Sequence, residues 1–442
     1  MAAGPQAGLE PTVNAPARTL EFDWPMIKVG TASYEAGPTG TTVIQFDRKV
    51  YSAIDVRGTP GTVNAPYMNM YYDLPELDTV VFAGGSWYGL EAVTGVASAL
   101  KDDGVRDGKA FGVTPNIAMS VGSIIFDFGS RRLNEIYPDK RLAQAAYRAT
   151  KPGVFPLGAT GAGRFAKTGH FFGCNAYSGQ GAAYREIGEV KIAAFVVVNA
   201  YGAVTDRQGR VAACYPDPAW PEELRDNPQT TELLARFAEM QEKKLAGSAD
   251  GERDRNTNTT LSLVVTNQKL TPVELKRLAV QVHASMGRAL QPFTTMYDGD
   301  VMYAVSTAEI EPKMYVPEIG AIAGEVMWDA ILSSVPEQPQ AATPADGPVL
   351  GADALEDLEG DYRFSQFVTV RVEAEGRRLK ARAVGEREAY AIGKDGFTEL
   401  KPVSETDFMV PGRYPLTLRF ADEGRLVINP GHWEQVGKRA DD

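Results

Sequence analysis

Asn256-Thr257-Asn258-Thr259-Thr260-Leu261-Ser262-Leu263-Val264-Val265-Thr266 is the stretch on which the architecture turns. Just before it, residues 248–255 are polar and charged with almost nothing to bury, the composition of a mobile loop. From Thr259 to Thr266 the pattern alternates and then turns apolar, which predicts a strand. A flexible loop therefore runs straight into a buried strand whose first member carries a hydroxyl. If the peptide bond before Thr259 were cut, the new α-amine would have a pKa near ~8 and could act as a base close to neutrality. It would share a residue with the hydroxyl, so proximity would be automatic, and a Thr hydroxyl paired with its own amine is a known activated nucleophile. Taken alone, the junction is also what any loop entering a Thr-led strand looks like.

Working outward, Thr271-Pro272-Val273-Glu274 is a capping box with proline at the first helical position. It opens a helix with Leu275, Leu278, Ala279, Val282 and Met286 on one face. The turn Asp298-Gly299-Asp300 leads into a strand over 301–306, and a final helix runs from about Ile319 to Leu332. Upstream, Val190 to Val198 is a long apolar run rich in β-branched residues, the mark of a central strand, and Asn199 to Gly202 ends it. Thr79 to Ala83 is a shorter buried strand entering Gly84-Gly85-Ser86, followed by a helix with Leu90, Val93, Ala97 and Leu100 on its face. Leu233, Leu234, Phe237 and Met240 space out another amphipathic helix. Prolines 336, 339, 344 and 348 mark a linker over 335–350. Beyond it, short alternating strands at 368–372, 379–383 and 416–420 predict a small antiparallel β domain over 351–442, a barrel or half-barrel.

With 442 residues, the chain exceeds one ordinary core. A formal charge of −12 argues against nucleic acid or an anionic membrane as partner, and no stretch reaches the ~18 apolar residues of a membrane span. Residues 1–18, rich in Ala, Gly and Pro, lack the basic start and apolar run of a signal peptide and predict a disordered tail on a cytoplasmic protein. Cys174 and Cys214 have no metal-ligand spacing and are expected as buried free thiols. Three histidines, His170, His283 and His432, rule out a His-rich metal site, so no metal and no cofactor is expected. Asp298-Gly299-Asp300 matches a fragment of a calcium loop, but the remaining ligand positions are missing.

Several motifs, in order, carry a resemblance. Asn258 to Asn267, Leu270 to Leu275 and Val282 to Arg288 resemble a family of self-processing N-terminal-nucleophile hydrolases, peptidase family S58. It includes the L-aminopeptidase D-Ala-esterase/amidases, the β-peptidyl aminopeptidases and the 6-aminohexanoate-oligomer endo-hydrolases, or nylon hydrolases. Gln291 to Asp300, Gly320 to Asp329, Tyr34 to Gly40 and Gly84 to Glu91 are most similar to the nylon hydrolases. The similarity spans about residues 20–332 and leaves out the C-terminal β domain, which resembles, more weakly, small β domains appended to some serine hydrolases.

The resemblance implies a four-layer αββα sandwich over 19–334 that cuts itself between Asn258 and Thr259, giving an α chain of 1–258 and a β chain from 259. It places the nucleophile on Thr259 and the oxyanion-stabilising asparagine on Asn199, where a rigid strand can aim a side-chain amide at developing charge. Two active-site carboxylates fall on Asp298 and Asp300, able to orient the Thr259 amine and hold its protonation state. The family's lysine at the end of a Gly-rich stretch falls on His170, with Lys167 three residues earlier. His170 is the expected occupant, and a neutral imidazole could accept a hydrogen bond where an ammonium can only donate. An aromatic phenol of some relatives is replaced by Phe126. Trp87 and Tyr88, at a helix start, are expected to line the substrate cleft, whereas His283 is expected to be a packed or capped structural residue, and His432 and Trp433 are expected to help the core of the C-terminal β domain. The expected substrate is a small amide or polyamide oligomer, with 6-aminohexanoate oligomers cut internally, and a homotetramer is implied. An aminopeptidase acting on small peptides or β-peptides, and an unprocessed binding protein, are the alternatives.

Overall fold

A computed structural model describes residues 6, 8–69, 75–105, 116–246, 258–340 and 350–440. One strand, Thr39–Gly58, is 20 residues long and joins two sheets. Its first part lies between Ile27–Tyr34 and Glu76–Ala83, and Ser120–Ile124 extends that sheet. Its register breaks between Gln45 and Val50. Its second part, Tyr51 to Gly58, pairs with Gly299–Ile310, and the sheet continues through Thr259–Gln268 and Val190–Asn199 to Gln180–Ile187. Two pairs are parallel: Glu76–Ala83 with Ser120–Ile124, and Thr259–Gln268 with Gly299–Ile310. Each connection carries a helix, Leu90–Asp102 or Pro272–Ser285, as parallel crossovers require.

Side-chain alternation then sorts three apolar layers. Phe195, Val197, Leu261, Leu263, Val301 and Tyr303 point inward against Ile44, Phe46, Val80, Phe82 and Val121 of the other sheet. Their neighbours Ala194, Val196, Val264, Met302 and Ala304 point outward, under Leu275, Leu278 and Val282 and under the helix Val316–Ser333 through Ile319, Ala323 and Met327. On the far side Tyr34, Val43 and Val81 pack beneath Val93, Val96 and Leu100 and beneath the helix Lys140–Arg148 through Leu142 and Ala146. The result is the αββα sandwich. Strands covered on both faces need no polar side, which is why 190–198 reads as an unbroken apolar run. The predicted capping box is present, with the Thr271 hydroxyl accepting from the Glu274 amide and the Glu274 carboxylate accepting from the Thr271 amide.

Residues 8–18 depart from the expected disordered tail. Thr12–Val13 pairs with Ala32 and Ser33, and the Asn14 side chain accepts from the Thr31 amide at 3.0 Å and donates to the Ala149 carbonyl at 2.7 Å. Backbone pairing supplies there what apolar content does not; residues 1–5 and 7 lie outside the described residues, as do the expected mobile loop at 248–255 and residues 341–349 of the linker. No helix among the described residues is long and apolar enough to cross a membrane.

The C-terminal unit is a closed eight-stranded antiparallel barrel, from Gly360–Arg363 to Gln435–Arg439, its ends joined by pairing of Tyr362 with Arg439. Closure leaves no edge strand. The barrel packs directly on the sandwich. Leu133, from the sandwich, is buried among the barrel's own core residues. The Arg131 carbonyl accepts from the Tyr390 hydroxyl at 2.7 Å and from the Gln435 side chain at 3.1 Å. Trp433 stacks on Tyr177 at 4.1 Å, and His432 hydrogen-bonds the Ala159 carbonyl. His432 and Trp433 therefore serve the junction, not the barrel core, because their rings face the sandwich. The expectation for the cysteines is also overturned: Cys174 and Cys214 form a disulfide across a separation of 40 residues, a pairing that spacing alone could not reveal. If Leu133 anchors the barrel, Leu133→Ala should lower stability to denaturant by about 2–5 kcal/mol; a change under ~0.5 kcal/mol, typical of a surface site, would contradict that role.

Candidate active site

The strands Val190–Asn199 and Thr259–Gln268 run antiparallel in a register that sets Asn199 opposite Thr259. Both are buried, at 2 % and 5 % exposure. The Thr259 hydroxyl donates to the carbonyl oxygen of Asn258 at 2.6 Å. The Gly299 amide donates to the same oxygen at 2.8 Å. Two donors thus polarise the carbonyl of the Asn258–Thr259 bond. Gly299 was not singled out from sequence as a functional position. Its signal was the glycine between two aspartates, because a Cβ there would lie 2.8 Å from the Thr259 Oγ.

The Asn199 amide is fixed at both atoms. Its Oδ1 accepts from the Lys167 backbone amide at 3.1 Å, and its Nδ2 donates to the Phe126 carbonyl at 3.3 Å. The Lys167 N–H requires oxygen on that side, which settles the amide orientation and leaves one Nδ2 proton for another acceptor. This suits a preorganised donor, since its orientation cost is already met by the fold.

Asp298 and Asp300 sit on either side of Gly299, both buried. Asp298 accepts from the Thr295 hydroxyl at 2.6 Å, the Thr295 amide at 3.0 Å and the Tyr201 amide at 3.2 Å. Burial nevertheless raises its carboxyl above the ordinary range. Asp300 accepts from the Thr260 amide at 2.8 Å and the Thr294 amide at 3.2 Å. Burial, with the Asp298 charge adding to it, pushes Asp300 well above the ordinary range. Like charges this close resist ionising together, so the pair tends to retain a proton. Neither carboxylate bonds the Thr259 hydroxyl: Asp300 reaches the neighbouring Thr260 amide, whereas Asp298 is held by Thr295 and the Tyr201 amide.

A cavity of about 370 Å³ opens beside these groups, with Asn199, Asn258, Lys167, His170 and Phe126 on its wall. That size suits a small-molecule site. Lys167 and His170 thus face one space. The Lys167 ammonium rests over the Tyr177 ring at 4.9 Å, and burial, reinforced by the Arg132 guanidinium, lowers it to about 8. The His170 Nδ1 lies 2.8 Å from the Asn175 Oδ1. Trp87 and Tyr88 do not line this cavity. They are 70 % and 61 % exposed, and Tyr88 approaches it only through ring contacts to Phe128 and then Phe126. The strand-to-helix turn that carries them faces solvent. His283 is buried and pairs with Asp55 at 2.9 Å, away from the site. Among the described residues no group of three His, Cys, Asp or Glu side chains is placed to hold a metal ion.

Sequence reasoning missed the segment that frames the cavity. Arg131 is fully buried and donates to Asp127 at 3.1 Å, to the Ile136 carbonyl at 2.7 Å and to Asn134 at 2.9 Å. Asp127 in turn accepts from the Thr39 hydroxyl at 2.6 Å and the Gly85 amide at 3.0 Å. This network shapes 126–136, which contributes Phe126, Gly129, Ser130 and Arg132 to the wall. The disulfide does the same elsewhere: Asn175 and Tyr215, next to Cys174 and Cys214, are both wall residues.

Residues 22–344 match the family model described as peptidase family S58. A 6-aminohexanoate-oligomer endohydrolase from Kocuria sp. (strain KY2) is 38% identical over 339 residues, covering 74% of this chain and 88% of that protein. An uncharacterized aminopeptidase from Mycobacterium leprae (strain TN) is 30% identical over 329 residues, covering 69% and 84%. Among solved structures, the L-aminopeptidase D-Ala-esterase/amidase from Ochrobactrum anthropi aligns with a TM-score of 0.48 at 17% identity, over 74% of this chain and 87% of that one.

The raised Asp300 carboxyl has a thermodynamic consequence. A group whose folded pKa lies above its unfolded value contributes stability that is present at low pH and lost as pH rises through the folded value. Wild-type protein should therefore lose stability, relative to Asp300→Asn, as pH climbs above the ordinary value of 3.8. Denaturant midpoints across that range check this, and parallel pH profiles for the two proteins would contradict it.

Proposed function

The chain belongs to peptidase family S58, and on that footing we propose that it is an autoprocessing amide hydrolase with Thr259 as N-terminal nucleophile. The observation that carries this is the pair of donors on the Asn258 carbonyl, the Thr259 hydroxyl at 2.6 Å and the Gly299 amide at 2.8 Å. In maturation the Thr259 Oγ attacks that carbonyl carbon, and the Gly299 N–H stabilises the oxyanion. The C–N bond breaks as the Thr259 nitrogen takes the proton released by Oγ, leaving an ester on Thr259. Water then hydrolyses the ester, freeing the Asn258 carboxylate and the Thr259 amine.

In turnover the freed amine accepts the Oγ proton as Oγ attacks the substrate amide. The free Nδ2 proton of Asn199 is the oxyanion donor. The amine passes its proton to the leaving nitrogen, and water hydrolyses the acyl-enzyme. Asp298 and Asp300 position the strand termini and share a proton near the new amine. Lys167 and His170 are both candidates for the polar group at the pocket wall. Lys167 has the stronger support, since its ammonium is the group that the resemblance calls for and it lies on the cavity wall over the Tyr177 ring.

The substrate we infer is an oligomer of 6-aminohexanoate cut internally, as named for the Kocuria relative. The aminopeptidase reading has the Mycobacterium leprae relative behind it, and products separate the two: internal oligomers appear early for an endo-acting enzyme, only monomers for the other. A homotetramer, implied by the resemblance, belongs to the same proposal. A cytoplasmic location is harder to hold beside the Cys174–Cys214 bond, because such bonds persist mainly in oxidising compartments.

Thr259→Ala should abolish both self-cleavage and hydrolysis, leaving a single 47.8 kDa band on a denaturing gel. A variant that still hydrolysed oligomers would overturn the assignment, and wild-type protein that never splits would favour an unprocessed binding protein. Asn199→Ala should cost roughly 10²–10³ in kcat, the usual loss of one oxyanion donor; unchanged kcat would remove Asn199 from that role.

A further inference from the structure

The cavity beside Asn199 and Asn258 has a wall that the family core does not supply. The family match ends at residue 344, yet Tyr390, Arg413, Tyr414 and Asn429 of the barrel line the same space. Barrel docking thus turns an open cleft into a pocket of mixed origin.

Among the described lining residues its charge is one-sided. Arg132, Lys167 and Arg413 are on the wall, and among the described lining residues there is no Asp or Glu, in a chain whose formal charge is −12. Arg413 is held in place: its Nε donates to the Tyr215 carbonyl at 2.9 Å, and its Nη1 reaches Asp217 at 3.4 Å. Its guanidinium lies 5.6 Å from the Trp220 ring and 5.4 Å from the Tyr414 ring. The remaining Nη2 is buried and meets no acceptor. No carboxylate among the described residues pairs with the Lys167 ammonium, which contacts aromatic faces. Cations drawn out of water without a full set of acceptors are costly unless a ligand completes them. A guanidinium on a wall shared with Arg132 and Lys167 suits a carboxylate, whose hydrogen bonds to such cations are among the strong ones.

We propose that this barrel-walled pocket binds a free carboxylate carried by the amide substrate, with Arg413 as the specificity-determining residue. The proposal rests on the amide-hydrolase reading above and narrows its substrate class to amides bearing a carboxylate, such as linear ω-amino-acid oligomers. Substrates whose only charge is an ammonium are disfavoured by the same field.

The test uses the full chain and two linear trimers of 6-aminohexanoate, both N-acetylated, one ending in a carboxylate and one in a carboxamide. Wild-type kcat/KM should favour the acid by at least about tenfold, mainly through KM, as expected of hydrogen bonds to a charged group. Arg413→Gln should bring the ratio near one, and Arg413→Lys should keep most of it. Equal kcat/KM for the two compounds in wild type, or a ratio that survives Arg413→Gln, overturns the proposal. Appearance of the two fragments on a gel reports that each variant has folded; should Arg413→Gln fail to mature, the wild-type ratio decides. A chain that cleaves itself but hydrolyses neither trimer contradicts the oligomer reading instead. The pocket is then judged by calorimetry: tighter binding of 6-acetamidohexanoate than of its carboxamide supports it, and equal binding overturns it.

Discussion

The site depends on the antiparallel register that sets Asn199 opposite Thr259. Side chains along a strand alternate faces, so a slip of one residue would turn both away from their present surroundings. The apolar layers forbid that slip. Phe195 and Val197 are committed to the space between the sheets, and Val196 and Val198 to the helices outside. Core packing and active-site geometry are therefore one constraint. The parallel partner strand adds the third element, bringing Gly299 and its flanking aspartates beside the Asn258 carbonyl.

Around that rigid centre lies a less regular shell. The buried Asp127–Arg131 pair shapes the segment between the sandwich and the barrel, and the Arg131 carbonyl is itself a docking point for Tyr390 and Gln435. A buried ion pair of this kind contributes little net stability, but it is costly to break once built. Its value here is positional: it holds the wall residues of 126–136 where the barrel meets them. The barrel in turn supplies part of the pocket wall, so a domain outside the family match borders the cavity of the family core.

Much of this was legible in the chain because strong periodicity survives folding. The run 190–198, the strand from Thr259, the Thr271 capping box and the helix after it are all found, since their apolar pattern and capping chemistry agree with their final layers. The αββα arrangement and the candidate nucleophile came through family resemblance, not from pattern, because nothing in a Thr-led strand marks it as reactive. What stayed hidden was pairwise and long-range. Cys174 and Cys214 meet only in three dimensions, and Trp433 finds Tyr177 across a domain junction. Trp87 and Tyr88 follow a strand as cleft residues often do, yet their turn faces outward. Residues 8–18 looked disordered by composition, but short backbone pairing and the Asn14 side chain hold them.

On the proposed reading, the chain becomes an enzyme by breaking one bond. Intact mass measurement of the purified protein under denaturing conditions addresses it most directly. Two species are expected, with masses that correspond to residues 1–258 and 259–442, the second beginning with Thr259. A single uncut mass, or a cut at any other bond, would contradict it.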